Sequence, residues 1–399
     1  MFGLTAVECF VVFVAVFAVV YWITPHKHSW IPLVVITVLL AVLAYHMVPN
    51  STDDLVRYYQ ELRYMRERGT DELDRAFREN LYEWNTYRVA AYYFYIVSRL
   101  HNNAWLQTIT IFIVYGLMFL VIYKASKRFE INKLNMFLGT MFFISTYWFY
   151  DTASGIRNGL SFAVAFACAY YHLVERKNIT LCYVGYILAC LTHSAGIMPV
   201  VMVIIAELTL NTSGKFMNFI LLFGIVGGGA FIQFLAGRTD NNFVQSIAGK
   251  AETHGLGDSL ETGTMFRVNL TVLLFVTVLF IYVAYYLLHS DYTNELKRLY
   301  KYFSINIYFM FGCVLSGLVF VRFARWTLPI IGALLFMIGM QIQSNQIEKE
   351  GRAKLTYYTP FNQSVRIKTR PLMHILYIAY TCVHFWYLCN GSSLHWLHF

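Results

Sequence analysis

Four short stretches place chemically competent side chains beside long apolar runs. In "YDTASGIRNG" (150–159), Arg157 starts an apolar helix, three residues after Ser154 and two after Gly155. A helix N-terminus carries about half a positive charge. A guanidinium added there makes an anion site suited to phosphate. Asn158 follows, and Ser161 shares the arginine's face at i+4. The structural alternative is an interfacial arginine that snorkels to headgroups, with Asp151 as its partner in the turn. In "CLTHSAG" (190–196), His193 and Ser194 interrupt an apolar run. A neutral imidazole there could take a proton from a hydroxyl or hydrogen-bond across helices. In "VFVRFARW" (319–326), Arg322 and Arg325 stand at i, i+3 on one helix face. Two planar guanidiniums suit a diphosphate; the alternative is again snorkelling. In "STDDLVRYY" (51–59), Asp53 and Asp54 fit a helix cap. The sharper reading makes them ligands or a base at a cavity mouth.

What is missing narrows the chemistry. There is no Walker A loop, no GxGxxG and no GxSxG elbow, which argues against nucleotide and serine-hydrolase chemistry. No HxxxH, HExxH or carboxylate cluster accompanies His193, so no metal and no cofactor is expected. The seven cysteines lie mainly in apolar stretches and form no CxxC; they read as small buried hydrophobes.

The residues that must position these groups are membrane helices. The chain is 58% hydrophobic and 13% charged, against about a quarter charged in soluble domains. That composition predicts an all-α polytopic membrane protein, one transmembrane domain over 1–399. Its net charge of +9 belongs to loops and not to a nucleic-acid partner. A span needs about 20 apolar residues. Twelve candidates follow: 5–22, 30–48, 105–123, 134–150, 157–174, 180–192, 195–210, 217–236, 266–288, 301–321, 326–343 and 371–390. The N-terminus lacks a basic n-region and a small-x-small cleavage motif, so it reads as a retained first span.

The stretch 180–210 is either one long helix or two broken at "LTHSAG". Splitting it gathers Lys124, Lys127, Arg128, Arg176, Lys177, Lys297, Arg298 and the basic run 345–370 on one side. That is the cytoplasmic side by the positive-inside rule, and the split is preferred. Asp151, Arg157, His193, Arg322 and Arg325 then share the opposite, outer end. The segment 49–104 joins them there as an extracytoplasmic amphipathic region. Leu55, Tyr58, Tyr59 and Leu62 make one apolar face that would lie on the membrane, and 82–100 forms a second helix. The loop 237–265, with five glycines and Arg238, is long enough to be a lid. Tyr58, Tyr87, Ser194, Asp151 and Arg238 are secondary site candidates.

The stretch "SGIRNGLSFAVAFACAYYHLVERKNITLCYVGYILACLTHSAG" resembles the core of EpsG-type proteins, a family of Wzy-like exopolysaccharide and capsule polymerases. The family pattern is an arginine and an amide, a small-residue helix, a short basic turn, then a helix ending His-Ser-Ala. Arg157, Asn158, "ERKN" and His193-Ser194-Ala195 fill it. Asn158 stands where the family usually has glutamine. "DDLVRYYQE" resembles its early Asp-x-x-x-Tyr segment through Asp54 and Tyr58, and "VRFARW" resembles its late arginine element.

The resemblance implies a GT-C-like helical bundle in a bacterial cytoplasmic membrane. It implies glycosyl transfer between oligosaccharide units carried on undecaprenyl diphosphate, with flippase and chain-length proteins as partners. Arg157, Asn158, Arg322 and Arg325 would hold the leaving diphosphate. His193, Asp53 or Asp54 would deprotonate the acceptor hydroxyl. Two other readings use the same residues: a flippase for lipid-linked oligosaccharides and an O-antigen ligase-like transferase.

Overall fold

The computed structural model describes residues 5–51, 53–79, 83–210, 263–287, 293–314, 317–353 and 360–390. The described residues are helical throughout, with no strand among them. In chain order the helices are α1 (Ala6–Ile23), α2 (Trp30–Tyr45), α3 (Asp54–Arg68), α4 (Thr70–Arg78), α5 (Arg88–Ser98), α6 (Trp105–Arg128), α7 (Lys133–Thr146), α8 (Phe149–Ser154), α9 (Ile156–Tyr170), α10 (Ile179–Thr192), α11 (Ile197–Leu208), α12 (Thr264–Leu287), α13 (Asn294–Cys313), α14 (Gly317–Ala353) and α15 (Pro360–Asn390).

Among the described residues, five helical stretches are long and apolar enough to cross a membrane: Ala6–Ile23, Trp105–Arg128, Thr264–Leu287, Val319–Asn345 and Pro371–Asn390. Shorter apolar helices occupy three more expected spans, at Trp30–Tyr45, Ile179–Thr192 and Ser194–Leu208. The expected span 134–150 divides into α7 and α8, because the chain turns extended at Tyr147 and Trp148. The expected span 217–236 and nearly all of the 237–265 loop, Arg238 included, lie outside the described residues. The chain is a multi-pass membrane protein by the number and apolarity of these helices.

Burial says where the axis runs. The apolar window of Val319–Asn345 is 89% buried, against 33% for Ala6–Ile23, so α14 is the central post and α1 is peripheral. Small residues let neighbours approach the post. Gly139 of α7 faces Met337, Gly332 faces Phe142, and Gly339 faces Val283 of α12.

One expected boundary moves. The chain was expected to leave one span at 321 and enter the next at 326, but 317–353 is a single helix. Two arginines interrupt the hydropathy there without breaking a helix, because arginine is a good helix former. Arg322 and Arg325 therefore lie inside the first turns of α14 and not in a loop.

The two ends of the bundle are chemically distinct, as the charge distribution requires. At one end Lys133 donates to Trp22 O and Thr24 O, both at 2.8 Å. Arg128 pairs with Glu295 at 3.0 Å and Arg176 with Glu207 at 2.8 Å. At the other end Asn102 donates to Tyr45 at 3.0 Å, and Arg66 donates to the carbonyls of Ser98 and Leu100 and to Asn103. Arg128, Lys133 and Arg176 lie at the first end, and His193, Arg157 and Asp53 at the second.

The segment 49–104 folds as α3, α4 and α5. Gly69, at φ 65°, separates α3 from α4. The α3 face expected to lie on the membrane is turned to protein. Leu55, Tyr58 and Leu62 are buried, and Tyr58 meets Phe94 of α5 edge-on at 5.0 Å.

The stretch 180–210 is two helices, in agreement with the split. His193 is extended (φ −161°, ψ 142°), and a 3-10 turn, Ser194–Gly196, leads into α11. Ser161 of α9 fixes this break by donating to Ala189 O at 2.8 Å and lying 3.3 Å from His193 O. Gly196 makes room for it: a Cβ there would stand 2.2 Å from Ser161 Oγ and 2.9 Å from Ala189 O. We expect Gly196→Ala to destabilise the protein by about 1–3 kcal/mol through overpacking, read as a lower melting temperature in detergent. Gly116→Ala is the control. Its Cβ would meet only Thr37 at 3.8 Å, and removing a mid-helix glycine should raise stability by about 0.5–1 kcal/mol.

Candidate functional site

Arg157 owes its position to an elbow. The α8 helix ends at Ser154 and α9 begins at Ile156, with Gly155 between them. The Gly155 amide donates to Asp151 O at 2.7 Å. A Cβ at Gly155 would lie 2.6 Å from that same oxygen, so only glycine allows so tight a turn. Trp326 of α14 packs against the elbow at Gly155 and Gly159. Arg157 is thus delivered in the first turn of α9, half-buried, with Asn158 beside it.

The guanidinium lies among three aromatic rings. Its Cζ is 5.8 Å from the Tyr58 ring, 5.4 Å from Trp84 and 5.6 Å from Tyr87. Its Nε donates to Tyr58 Oη at 3.3 Å. All three rings are buried. Such contacts strengthen as water is excluded, to about 2 kcal/mol each. They fix the position of the cation in the first turn of α9.

His193 joins this group through Tyr87. The two rings stack at 5.5 Å with an interplanar angle of 13°. The Ala195 amide donates to His193 Nδ1 at 3.1 Å. That bond fixes the tautomer: with Nδ1 accepting, the neutral ring carries its proton on Nε2. His193 therefore presents an N–H, which suits donation to a phosphate oxygen better than abstraction of a proton. Ser194, half-buried, opens the turn that supplies the Ala195 amide.

A second group stands one turn back along α3 and six residues back along the α8–α9 elbow. Asp53 is the N-cap residue of α3, but its carboxylate does not cap the helix. It accepts from Asn50 N at 2.8 Å and from the Tyr150 hydroxyl in a short hydrogen bond. Asn50 Nδ2 donates to the same tyrosine oxygen at 3.1 Å. Asp151 pairs with Arg325, N to O 3.2 Å, and not with Arg157. Burial pushes the Asp151 carboxyl above the usual range; Arg325 pulls it back, and the nearby Asp53 pushes it up further.

The expected residues thus divide. Arg157, Tyr58, Tyr87 and His193 come together, and Asp53, Asp151 and Arg325 form the adjoining group. Asp54 is exposed and paired with Arg57 on the outside of α3. Arg322 is exposed while Arg325 is half-buried over Trp326, so the two guanidiniums stand in different surroundings. Among the described residues no group of three His, Cys, Asp or Glu could hold a metal.

Three members were not singled out from the sequence. Trp84 completes the rings around Arg157, and Tyr150 and Asn50 hold Asp53. The available signal for Trp84 was its place three residues before Tyr87 in a polar, aromatic-rich stretch. Tyr150 stood beside Asp151 in the opening motif. Nothing local marked Asn50.

No curated protein and no solved structure matches the chain. The EpsG family model matches residues 30–361, which takes in α2 to α14 and every residue of both groups. The chain belongs to the EpsG family.

Proposed function

We propose that this chain is an extracytoplasmic polysaccharide polymerase that joins oligosaccharide units carried on undecaprenyl diphosphate. Family membership associates it with exopolysaccharide polymerisation. The observation that carries the finer reading is the Arg157 group: a guanidinium at a helix N-terminus, ringed by aromatics, beside an imidazole N–H. Cation and N–H suit a diphosphate. The flat rings suit sugar faces.

In the proposed reaction, the glycosidic C–O bond between the growing chain and its lipid diphosphate breaks. A new C–O bond forms to a hydroxyl of the next unit, whose proton passes to a base. Arg157 and His193 Nε2–H meet the charge that develops on the leaving diphosphate. Asp53, with Tyr150 on its carboxylate, is the better placed base; Asp54, paired outside, is not. The Asp151–Arg325 pair fixes α14 against the elbow. The site would face the outer side of the cytoplasmic membrane, opposite the basic loops.

Replacing Arg157 by alanine should lower polymer formation about 10²–10³-fold. Polymer length on gels, from purified protein in liposomes with lipid-linked oligosaccharide, measures it. Arg157→Lys should recover only part of the activity, because lysine lacks the planar fork. Full activity in Arg157→Ala would refute the assignment. The helix break at His193 is also the kind of feature that transporters use. Movement of the lipid-linked unit across the vesicle with no new glycosidic bond would establish that reading instead.

We further expect Tyr150→Phe to lower kcat about 10-fold while leaving KM nearly unchanged, if Asp53 acts as base. Loss of binding alone would place Asp53 in substrate positioning.

A further inference from the structure

An open cavity lies at the far end of the α10–α11 pair from His193. It has a volume of about 540 Å³. Ile179, Tyr183 and Ile187 from α10 line one wall, and Val200, Val203 and Ile204 from α11 line the other. The helices meet at the His193 break and part toward this end. Ile187, Tyr183, Ile204 and Leu208 are exposed along the opening, and the neighbouring Leu181, Val184 and Leu188 continue an apolar outer surface. On a chain with this many apolar helices, such a surface faces lipid tails.

The closed end of the groove is charged. Arg176 and Glu207 line it, paired at 2.8 Å, and Arg298 of α13 approaches the same carboxylate at 3.9 Å. The Nε of Arg298 is buried with no hydrogen-bond partner. His172 is 93% buried, with Nδ1 3.2 Å from the Tyr186 hydroxyl. Two guanidiniums thus share one carboxylate, and the corner carries excess positive charge.

The backbone here departs from plain helix. After Tyr170 the chain runs through a π-helical turn, Tyr171–Glu175, and then Arg176 and Asn178 are left-handed, both at φ 53°. Non-glycine residues rarely adopt that region, and such outliers gather at binding sites. The distortion turns Arg176 toward Glu207.

We propose that this groove binds an anionic phospholipid of the surrounding bilayer, at the opposite end of the molecule from the Arg157 group. The headgroup phosphate lies on Arg176 and Arg298, and an acyl chain fills the apolar cleft between α10 and α11. Basic pockets between transmembrane helices take anionic headgroups in this manner. The inference rests on the membrane reading and on the groove alone, and stands whatever reaction the Arg157 group performs.

The test uses the full chain, purified in detergent and titrated with phosphatidylglycerol or phosphatidylcholine, with bound lipid counted by native mass spectrometry. Wild type should retain phosphatidylglycerol in preference to phosphatidylcholine. Each of Arg176→Ala and Arg298→Ala should weaken phosphatidylglycerol about fivefold. Glu207→Gln removes the competing carboxylate and should tighten it several-fold, the opposite sign from a merely structural role. Ile204→Trp fills the cleft with the charges intact and should abolish retention, which keeps the test decisive if an arginine variant fails to fold. Equal retention of both lipids, or unchanged phosphatidylglycerol binding in Glu207→Gln and Ile204→Trp, would overturn the proposal. So would no retention by wild type, the result expected if the chain's own residues after Leu208 fill the groove. Because none of these variants touches the Arg157 group, polymerisation failing with lipid retention intact would count against the proposed reaction alone.

Discussion

A guanidinium near membrane depth has to be held by something, and here Arg157 is held by rings. The aromatic faces of Tyr58, Trp84 and Tyr87 attract the cation and fix its place. Much of the surrounding structure follows from this choice. The helices α3 and α5 must fold back over the bundle end to bring Tyr58 near Arg157, and the polar stretch before α5 must supply Trp84 and Tyr87. The nearby acid, Asp151, pairs instead with Arg325, which ties α14 to the elbow that carries Arg157.

Gly155 and Ser161 make the arrangement rigid. The glycine lets α8 turn into α9 within one residue. The serine hydroxyl ties α9 to the last turn of α10 and to the His193 carbonyl at the break. Gly155 caps the start of the helix that carries Arg157, and Ser161 lies one turn past that arginine, so the cation and the imidazole are referenced to a single element. Trp326 then fixes that element to the central α14.

Much of this was legible in the sequence. Composition gave a helical membrane protein, and the distribution of Lys and Arg separated the two ends and favoured a break near His193. The residues at that break, a histidine between hydroxyls and ahead of a glycine, carried the signal. What was not legible is pairing. Asp151 stands closer in sequence to Arg157 than to Arg325, yet it pairs with Arg325, because the elbow turns the two residues of one stretch in different directions. Hydropathy also misplaced the boundary near 321–326, since it registers charge and not helix propensity. The partners of Asp53 were hidden for the same reason: Tyr150 is 97 residues away, and only the packing of α3 on the elbow brings it near.

The extended residue at His193 has an effect on the packing phase of the chain. Within one continuous helix, the direction of each side chain is dictated by every residue before it, at 3.6 per turn. The break cancels that inheritance. The α11 helix buries Pro199, Met202, Val203 and Ala206 in its own phase, while α10 buries Cys182, Gly185, Tyr186 and Ala189 in another. His193 obeys neither; its ring is oriented by the Ala195 amide and by the face of Tyr87. The direction of the imidazole is thereby decoupled from the side-chain phase of both helices.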